Sequence, residues 1–104
     1  GLDATRAGVS GVDADAAASD KIEAAGFGGK FGHGLGHGVG LEVHEAPRLS
    51  HESSDTLVAG NVATVEPGVY LEGVGGIRIE DLVVVTEGEP EVLTGFGKDL
   101  ITVS

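Results

Sequence analysis

The hydrophobic and polar positions in the first third of the chain predict one helix. Ser10 is a typical N-cap residue, and Asp13, three positions later, suits the positive end of a helix dipole. A weak apolar stripe follows, made of Val12, Ala16, Ala17, Ile22 and Ala25. Gly26 is of the type at which helices commonly end. The sequence therefore predicts a helix over residues 11–25.

Beyond this helix, short alternating runs separated by turn residues predict strands. Closely spaced glycines between Phe27 and Gly40 exclude a helix there, since each interior glycine costs about 1 kcal/mol. The predicted strands cover residues 41–44, 61–66, 69–71, 77–86 and 91–94, with a loop from Pro47 to Gly60 and no clear pattern from Phe96 onward. One helix followed by several strands predicts an α+β domain with an antiparallel sheet.

Length and composition limit the number of domains, the make-up of the core and the expected cellular location. The 104 residues fit one domain or part of one, and with 40% hydrophobic but only 4% aromatic residues the core must consist of Val, Leu, Ile and Ala. The absence of cysteine excludes disulfides and thiolate chemistry and is consistent with a cytoplasmic location. No apolar run approaches the ~18 residues needed to span a bilayer, so no membrane partner is expected.

The net charge of the chain limits the classes of partner that it is expected to bind. Seventeen acidic and six basic residues give a formal net charge of −11, which disfavours nucleic acids and anionic membrane surfaces. The acidic residues either keep the protein soluble or gather in part around a cation.

The segment from His33 to Pro47, HGLGHGVGLEVHEAP, is the most distinctive in the chain. An imidazole nitrogen is a common ligand of first-row metals, and the glycines beside His37 let other groups come close. The alternative is a histidine in a flexible glycine loop. No Walker A, H-E-x-x-H or G-x-S-x-G motif is present.

Two carboxylates in ordered settings complete the candidate chemistry. Glu66 ends a predicted strand before Pro67, and Glu80 lies in an apolar one, where a buried carboxylate needs a cation or a metal. Alternatively, Glu80 faces solvent or pairs with Arg78, because side chains at i and i+2 share a strand face. His37, Glu66 and Glu80 together would suit Mn²⁺, Co²⁺ or Fe²⁺, with Zn²⁺ possible.

Three motifs in order, HGLGH from residue 33, VEPGVY from residue 65 and GIRIED from residue 76, resemble the C-terminal half of the pita-bread (M24) metallopeptidase fold. The residues of these motifs are most similar to those of the Xaa-Pro aminopeptidase and Xaa-Pro dipeptidase (prolidase) branch, with methionine aminopeptidase as an alternative. The resemblance implies a curved antiparallel sheet with a helix packed on its outer face.

The resemblance also implies a site for two divalent metal ions, Mn²⁺ or Co²⁺ before Zn²⁺ or Fe²⁺. His37 and Glu66 match metal ligands, and Glu80 matches the carboxylate that bridges both ions. The implied reaction is hydrolysis of the bond before proline by metal-bound hydroxide, with Glu66 also as general base.

Four further positions match residues that engage the substrate, a peptide with proline at its second position. They are His33, His44, Tyr70 and Arg78, of which His33, His44 and Arg78 also match catalytic positions.

The chain differs from the family in one respect. The family has two aspartate metal ligands upstream of the histidine run. None of Asp3, Asp13, Asp15 and Asp20 stands in that motif. We therefore expect residues 1–104 to be the C-terminal portion of a catalytic domain whose partner is the missing N-terminal half. Alone, the chain is expected to bind metal weakly or not at all and to be inactive. A homodimer is also expected, and a non-catalytic binding module of the same fold is the alternative function.

Overall fold

A computed structural model of the chain describes residues 1–95 and 97–100. Helix α1 spans Gly11–Ile22 and continues as a π-helical turn over Glu23–Phe27. Within the described residues the strands are β1 (Gly36–Gly38), β2 (Glu45–Leu49), β3 (Val62–Val65), β4 (Gly68–Leu71), β5 (Gly75–Arg78), β6 (Asp81–Val84) and β7 (Glu91–Val92). Phe96 and residues 101–104, in the tail without a clear pattern, lie outside the described residues.

The helix begins where the sequence predicts it. The side-chain oxygen of Ser10 accepts a hydrogen bond from the backbone N–H of Asp13 at 3.1 Å, which confirms the predicted cap. Gly26 adopts a φ of 95°, a left-handed conformation that interrupts the helical run. The helix predicted over residues 11–25 is therefore confirmed to within a few residues.

The buried face of α1 is not the predicted apolar stripe. Its buried residues are Gly11, Ala14, Asp15 and Ala18, whereas Val12 is exposed. A Cβ atom on Gly11 would overlap the carbonyl oxygen of Arg48, because the helix lies directly against β2. This close approach selects small side chains rather than large apolar ones.

The strands form two antiparallel sheets within the described part of the chain. Five strands pair in the order β2-β1-β3-β6-β7, and β4 and β5 form a separate hairpin. Leucine and valine side chains of the larger sheet and its connections pack with Ala14 and Ala18 of α1 to form the core. A helix on an antiparallel sheet confirms the predicted α+β class. No helix in residues 1–95 and 97–100 has the length and apolar character needed to cross a membrane.

The strand predicted at residues 41–44 is wrong. That segment is a bend, and the side chains of Leu41 and Val43 are exposed. The strand forms instead at β2, most of which the sequence assigned to a loop, because β2 pairs with β1 through Gly36↔Leu49 and His37↔Arg48. The predicted strands at 61–66, 69–71 and 91–94 are confirmed, each within about two residues of its observed ends.

The single strand predicted over residues 77–86 is two strands in different sheets. β5 pairs with β4 in the hairpin, whereas β6 pairs with β3 in the larger sheet. The chain changes sheets at Ile79 and Glu80, so the alternation of side chains restarts there. Consequently Asp81 is buried and Glu80 is exposed, and the Nζ atom of Lys98 lies 2.8 Å from Asp81 Oδ1.

Candidate active site

The glycines around His37 allow three strands to approach closely. β1 lies between β2 and β3. A Cβ atom on Gly36 would overlap the carbonyl oxygen of Thr64, and one on Gly38 would overlap that of Ala46. His37 is therefore the one residue of β1 with a side chain, and its backbone N–H donates a hydrogen bond to Thr64 Oγ1 at 3.1 Å.

His37 and Glu66 face one another across the junction of β1 and β3. Nδ1 of His37 donates a hydrogen bond to the carbonyl oxygen of Gly38 at 2.9 Å, since a carbonyl can only accept. Nε2 then carries the lone pair of a neutral ring, and it lies 3.5 Å from Glu66 Oε2. The two side chains are only 18% and 14% exposed.

This arrangement fits two donors of one divalent cation. A neutral imidazole nitrogen and a carboxylate oxygen are both electron-pair donors, so a proton or a cation between them relieves their repulsion. Two ligands of one tetrahedral ion, each about 2.1 Å from it, lie roughly 3.4 Å apart. The separation of His37 Nε2 and Glu66 Oε2 is therefore compatible with a shared metal ion.

His33 is oriented by its own contacts. Its Nδ1 donates to the carbonyl oxygen of Gly34 at 2.7 Å, so its Nε2 accepts the hydrogen bond from the Tyr70 hydroxyl at 2.6 Å. The ring also packs edge-on against Phe31, with centroids 5.0 Å apart. Tyr70 lies opposite Gly76 in the β4–β5 hairpin, and its ring occupies the space that a side chain at Gly76 would need.

Three of the four predicted substrate-binding residues, His33, His44 and Arg78, line one cavity of about 350 Å³. Its polar and charged lining includes His33, His37, His44, Arg48, Glu66 and Arg78. The rings of His37 and His44 meet edge to face, with centroids 4.5 Å apart, although His44 itself is exposed. Tyr70 is not a lining residue of this cavity and reaches it through His33.

Glu80 lies apart from the other two predicted metal ligands. It is exposed and lines an adjoining cavity of about 210 Å³ together with Arg78 and Lys98. Arg78 lines both cavities. In residues 1–95 and 97–100, no three His, Cys, Asp or Glu side chains are grouped so as to hold a metal ion. The ligand set of His37, Glu66 and Glu80 therefore stays a prediction.

Arg48 is a lining residue that sequence reasoning missed. It lies directly opposite His37 in the β1–β2 pair, and residues opposite one another in antiparallel strands project from the same face. The pairing of β1 with β2 is the only signal that places Arg48 at the site, and the sequence pattern does not show that pairing.

The chain belongs to metallopeptidase family M24, whose family model matches residues 1–87. The Xaa-Pro dipeptidase of Pyrococcus furiosus is 42% identical over 100 residues, which cover 96% of this chain and 29% of that protein. The structure of an Xaa-Pro dipeptidase from Bacillus anthracis matches with a TM-score of 0.92 at 48% identity, over 96% of this chain and 28% of that one.

A more distant match is the X-prolyl aminopeptidase of Caenorhabditis elegans, a cytosolic enzyme with a di-nuclear active site. It matches with a TM-score of 0.66 at 37% identity, over 80% of this chain and 14% of that one. The chain thus spans less than a third of the length of these relatives. The resemblance to the pita-bread metallopeptidases and their Xaa-Pro branch is confirmed, and the chain has the fold of the C-terminal part of such an enzyme.

Proposed function

We propose that the protein hydrolyses the peptide bond that precedes proline, as an Xaa-Pro dipeptidase or aminopeptidase. The observation that carries this proposal is the pair His37 Nε2 and Glu66 Oε2, 3.5 Å apart in a cavity that Arg78 also lines. The names of the Pyrococcus and Bacillus relatives support the substrate class.

His37 and Glu66 are proposed to hold a divalent cation, with Glu80 as the bridging ligand to a second one. Bound divalent ions would lower the pKa of water and so supply a nucleophile near neutral pH. Glu66 is proposed as the general base that accepts a proton from the attacking water, because its carboxylate lines the cavity beside His37. Mn²⁺ or Co²⁺ is the proposed metal, with Zn²⁺ or Fe²⁺ as alternatives.

The remaining lining residues are proposed to bind the peptide. His44 lies exposed beside His37, where it can contact substrate entering the cavity. The hydroxyl of Tyr70 orients the ring of His33 by a hydrogen bond, so these two residues are proposed to contribute to substrate binding together. Arg78 lines both cavities and is proposed to organise substrate and Glu80 together.

The charges of the main cavity favour a short peptide with a free carboxylate. Arg48 and Arg78 line it against one acidic side chain, Glu66, although the chain as a whole carries −11. Two guanidinium groups can bind a carboxylate through paired hydrogen bonds. This local excess of positive charge favours a dipeptidase over an enzyme that acts on long peptides.

The rest of the catalytic domain is proposed to supply two aspartate ligands to this site. On that basis the chain alone would bind metal weakly and hydrolyse nothing, and the N-terminal half is its functional partner. A cytoplasmic location and a homodimer stay predictions.

The test uses the full-length protein with Mn²⁺ and a series of Xaa-Pro dipeptides. Replacing His37 by Ala or Glu66 by Gln should each lower kcat/KM by at least about 100-fold and weaken Mn²⁺ binding by calorimetry. Glu72→Gln, an exposed carboxylate in the turn after β4, is the matched control and should leave both unchanged. Tight Mn²⁺ binding without hydrolysis would favour a binding module, and cleavage after Met irrespective of proline would favour a methionine aminopeptidase.

A further inference from the structure

Helix α1 carries a buried carboxylate that no step of the proposed reaction uses. Asp15 is 5% exposed and lies on the helix face that packs against the sheet. Within the described residues its hydrogen-bond partners are the backbone N–H of Leu35 and the hydroxyl of Ser19, at 2.8 and 3.2 Å, and it takes part in no ion pair. A buried carboxylate without a cation is unfavourable for stability, so its contacts point to another role.

One residue, Leu35, connects Asp15 to the two metal donors through its backbone N–H and C=O groups. The N–H of Leu35 is shared between Asp15 Oδ1 at 2.8 Å and the carbonyl oxygen of Leu49 at 2.7 Å. The carbonyl oxygen of the same Leu35 accepts a hydrogen bond from the backbone N–H of Glu66 at 2.7 Å. Leu35 is also two residues before His37. The position of Leu35 therefore influences the backbone positions of both His37 and Glu66.

The segment around Leu35 is held by the sheet on both sides and by Asp15 from helix α1. Its neighbours Gly34 and Gly36 have no side chains and a high conformational entropy when unrestrained. β1 is three residues long and pairs with β2 at three registered positions and with β3 at one, Gly38↔Ala63. The hydrogen bond to Asp15 therefore adds a restraint from helix α1 to a backbone that the sheet restrains from its two sides.

We propose that Asp15 is a positioning residue: its carboxylate, held on α1, fixes the backbone of Leu35 and through it the separation of His37 and Glu66. The catalytic part of this inference rests on the proposed peptidase function, whereas the structural part does not.

The kinetic test compares variants of the full-length protein. Asp15→Ala removes the acceptor, and we expect kcat to fall on the order of 100-fold with little change in KM, because small misplacements of reacting groups have effects of this size. Asp15→Asn keeps an acceptor oxygen for Leu35 and should restore most of the loss. Asp20→Asn, an exposed carboxylate on the same helix, is the matched control and should leave kcat unchanged. Equal impairment of the Ala and Asn variants, or no impairment of either, would overturn the proposal.

A second readout needs no activity. Nuclear magnetic resonance of metal-free full-length protein, labelled with ¹⁵N in leucine and histidine, reports the hydrogen exchange of the Leu35 amide and the tautomer of His37. We expect faster exchange and a mixed tautomer in Asp15→Ala, and wild-type behaviour in Asp15→Asn. Unchanged exchange and tautomer in the Ala variant would contradict the inference. If these changes occur in a protein that hydrolyses no Xaa-Pro peptide, the proposed function fails and the positioning role stands.

Should Asp15→Ala fail to fold, Ser19→Ala takes its place, because it removes the other hydrogen bond that orients the carboxylate. An approximately fivefold fall in kcat, together with faster Leu35 exchange, supports the proposal. No change in either quantity overturns it.

Discussion

The imidazoles of His33 and His37 are held by the same local contact. Each Nδ1 donates a hydrogen bond to the carbonyl oxygen of the following glycine, Gly34 at 2.7 Å and Gly38 at 2.9 Å. Both rings therefore have the same tautomer, and each presents Nε2 to a different group. The same backbone hydrogen bond thus orients Nε2 of His33 toward the Tyr70 hydroxyl and Nε2 of His37 toward the Glu66 carboxylate.

Gly36→Ala should destabilise the protein strongly. The added Cβ would overlap the backbone carbonyl oxygen of Thr64, and a backbone cannot move aside as a flexible side chain can. We expect the free energy of unfolding to fall by about 3 kcal/mol, at the upper end for overpacking. The measurement is urea denaturation followed by circular dichroism.

Gly32→Ala is the control for that substitution. No atom lies within 4 Å of the Cβ it would add, although it is in the same glycine-rich run. Its unfolding midpoint should stay near that of the wild type. Equal destabilisation by both substitutions would mean that chain flexibility, rather than strand spacing, requires glycine at position 36.

Tyr70→Phe should lower kcat/KM about fivefold, the effect of losing one hydrogen bond worth about 1 kcal/mol. The phenol hydroxyl donates to His33 Nε2 at 2.6 Å, whereas the ring would keep its place over Gly76. Tyr70→Ala loses both and should be more severe. Steady-state kinetics on an Xaa-Pro dipeptide separate these effects, and wild-type values for the Phe variant would show that the hydroxyl does not orient His33 for catalysis.

Arg48→Gln should raise KM for a free dipeptide by at least about tenfold with little change in kcat, because a hydrogen bond to a charged group contributes about 1.5–3 kcal/mol. The same dipeptide with an amidated C-terminus should show no such change. Arg6→Gln, an exposed arginine outside the cavity lining, controls for the altered net charge. A parallel rise in KM for both substrates would exclude recognition of the carboxylate by Arg48.

Features of the fold that depend on local chemistry could be predicted from the sequence. The cap at Ser10 and the left-handed Gly26 bound the helix because each acts within one turn of its own position. The buried face of that helix could not be predicted in the same way. It is set by how closely α1 approaches β2, and only the folded chain shows that Gly11 lies against Arg48.

The candidate site shows the same division. His37 and Glu66 could be proposed from residue type and setting, and the structure brings them together. Arg48 could not, because its place depends on the pairing of β1 with β2 across a bend that looks like a strand. For Glu80 the sequence pattern leaves two alternatives, a buried ligand and a solvent-facing residue. Strand β5 ends at Arg78, and Glu80 beyond it is exposed.

The tight seating of β1 between its neighbours has a consequence for the genetic tolerance of this segment. Every missense change at Gly36 or Gly38 adds at least a Cβ atom, which would collide with main-chain oxygens of Thr64 or Ala46. Selection for a folded protein alone would reject such alleles, whether or not His37 takes part in catalysis. The codons for Gly36 and Gly38 are therefore constrained by strand packing, and the codon between them by any role of the His37 side chain. A growth-based screen that does not measure protein abundance would not distinguish loss of folding from loss of activity.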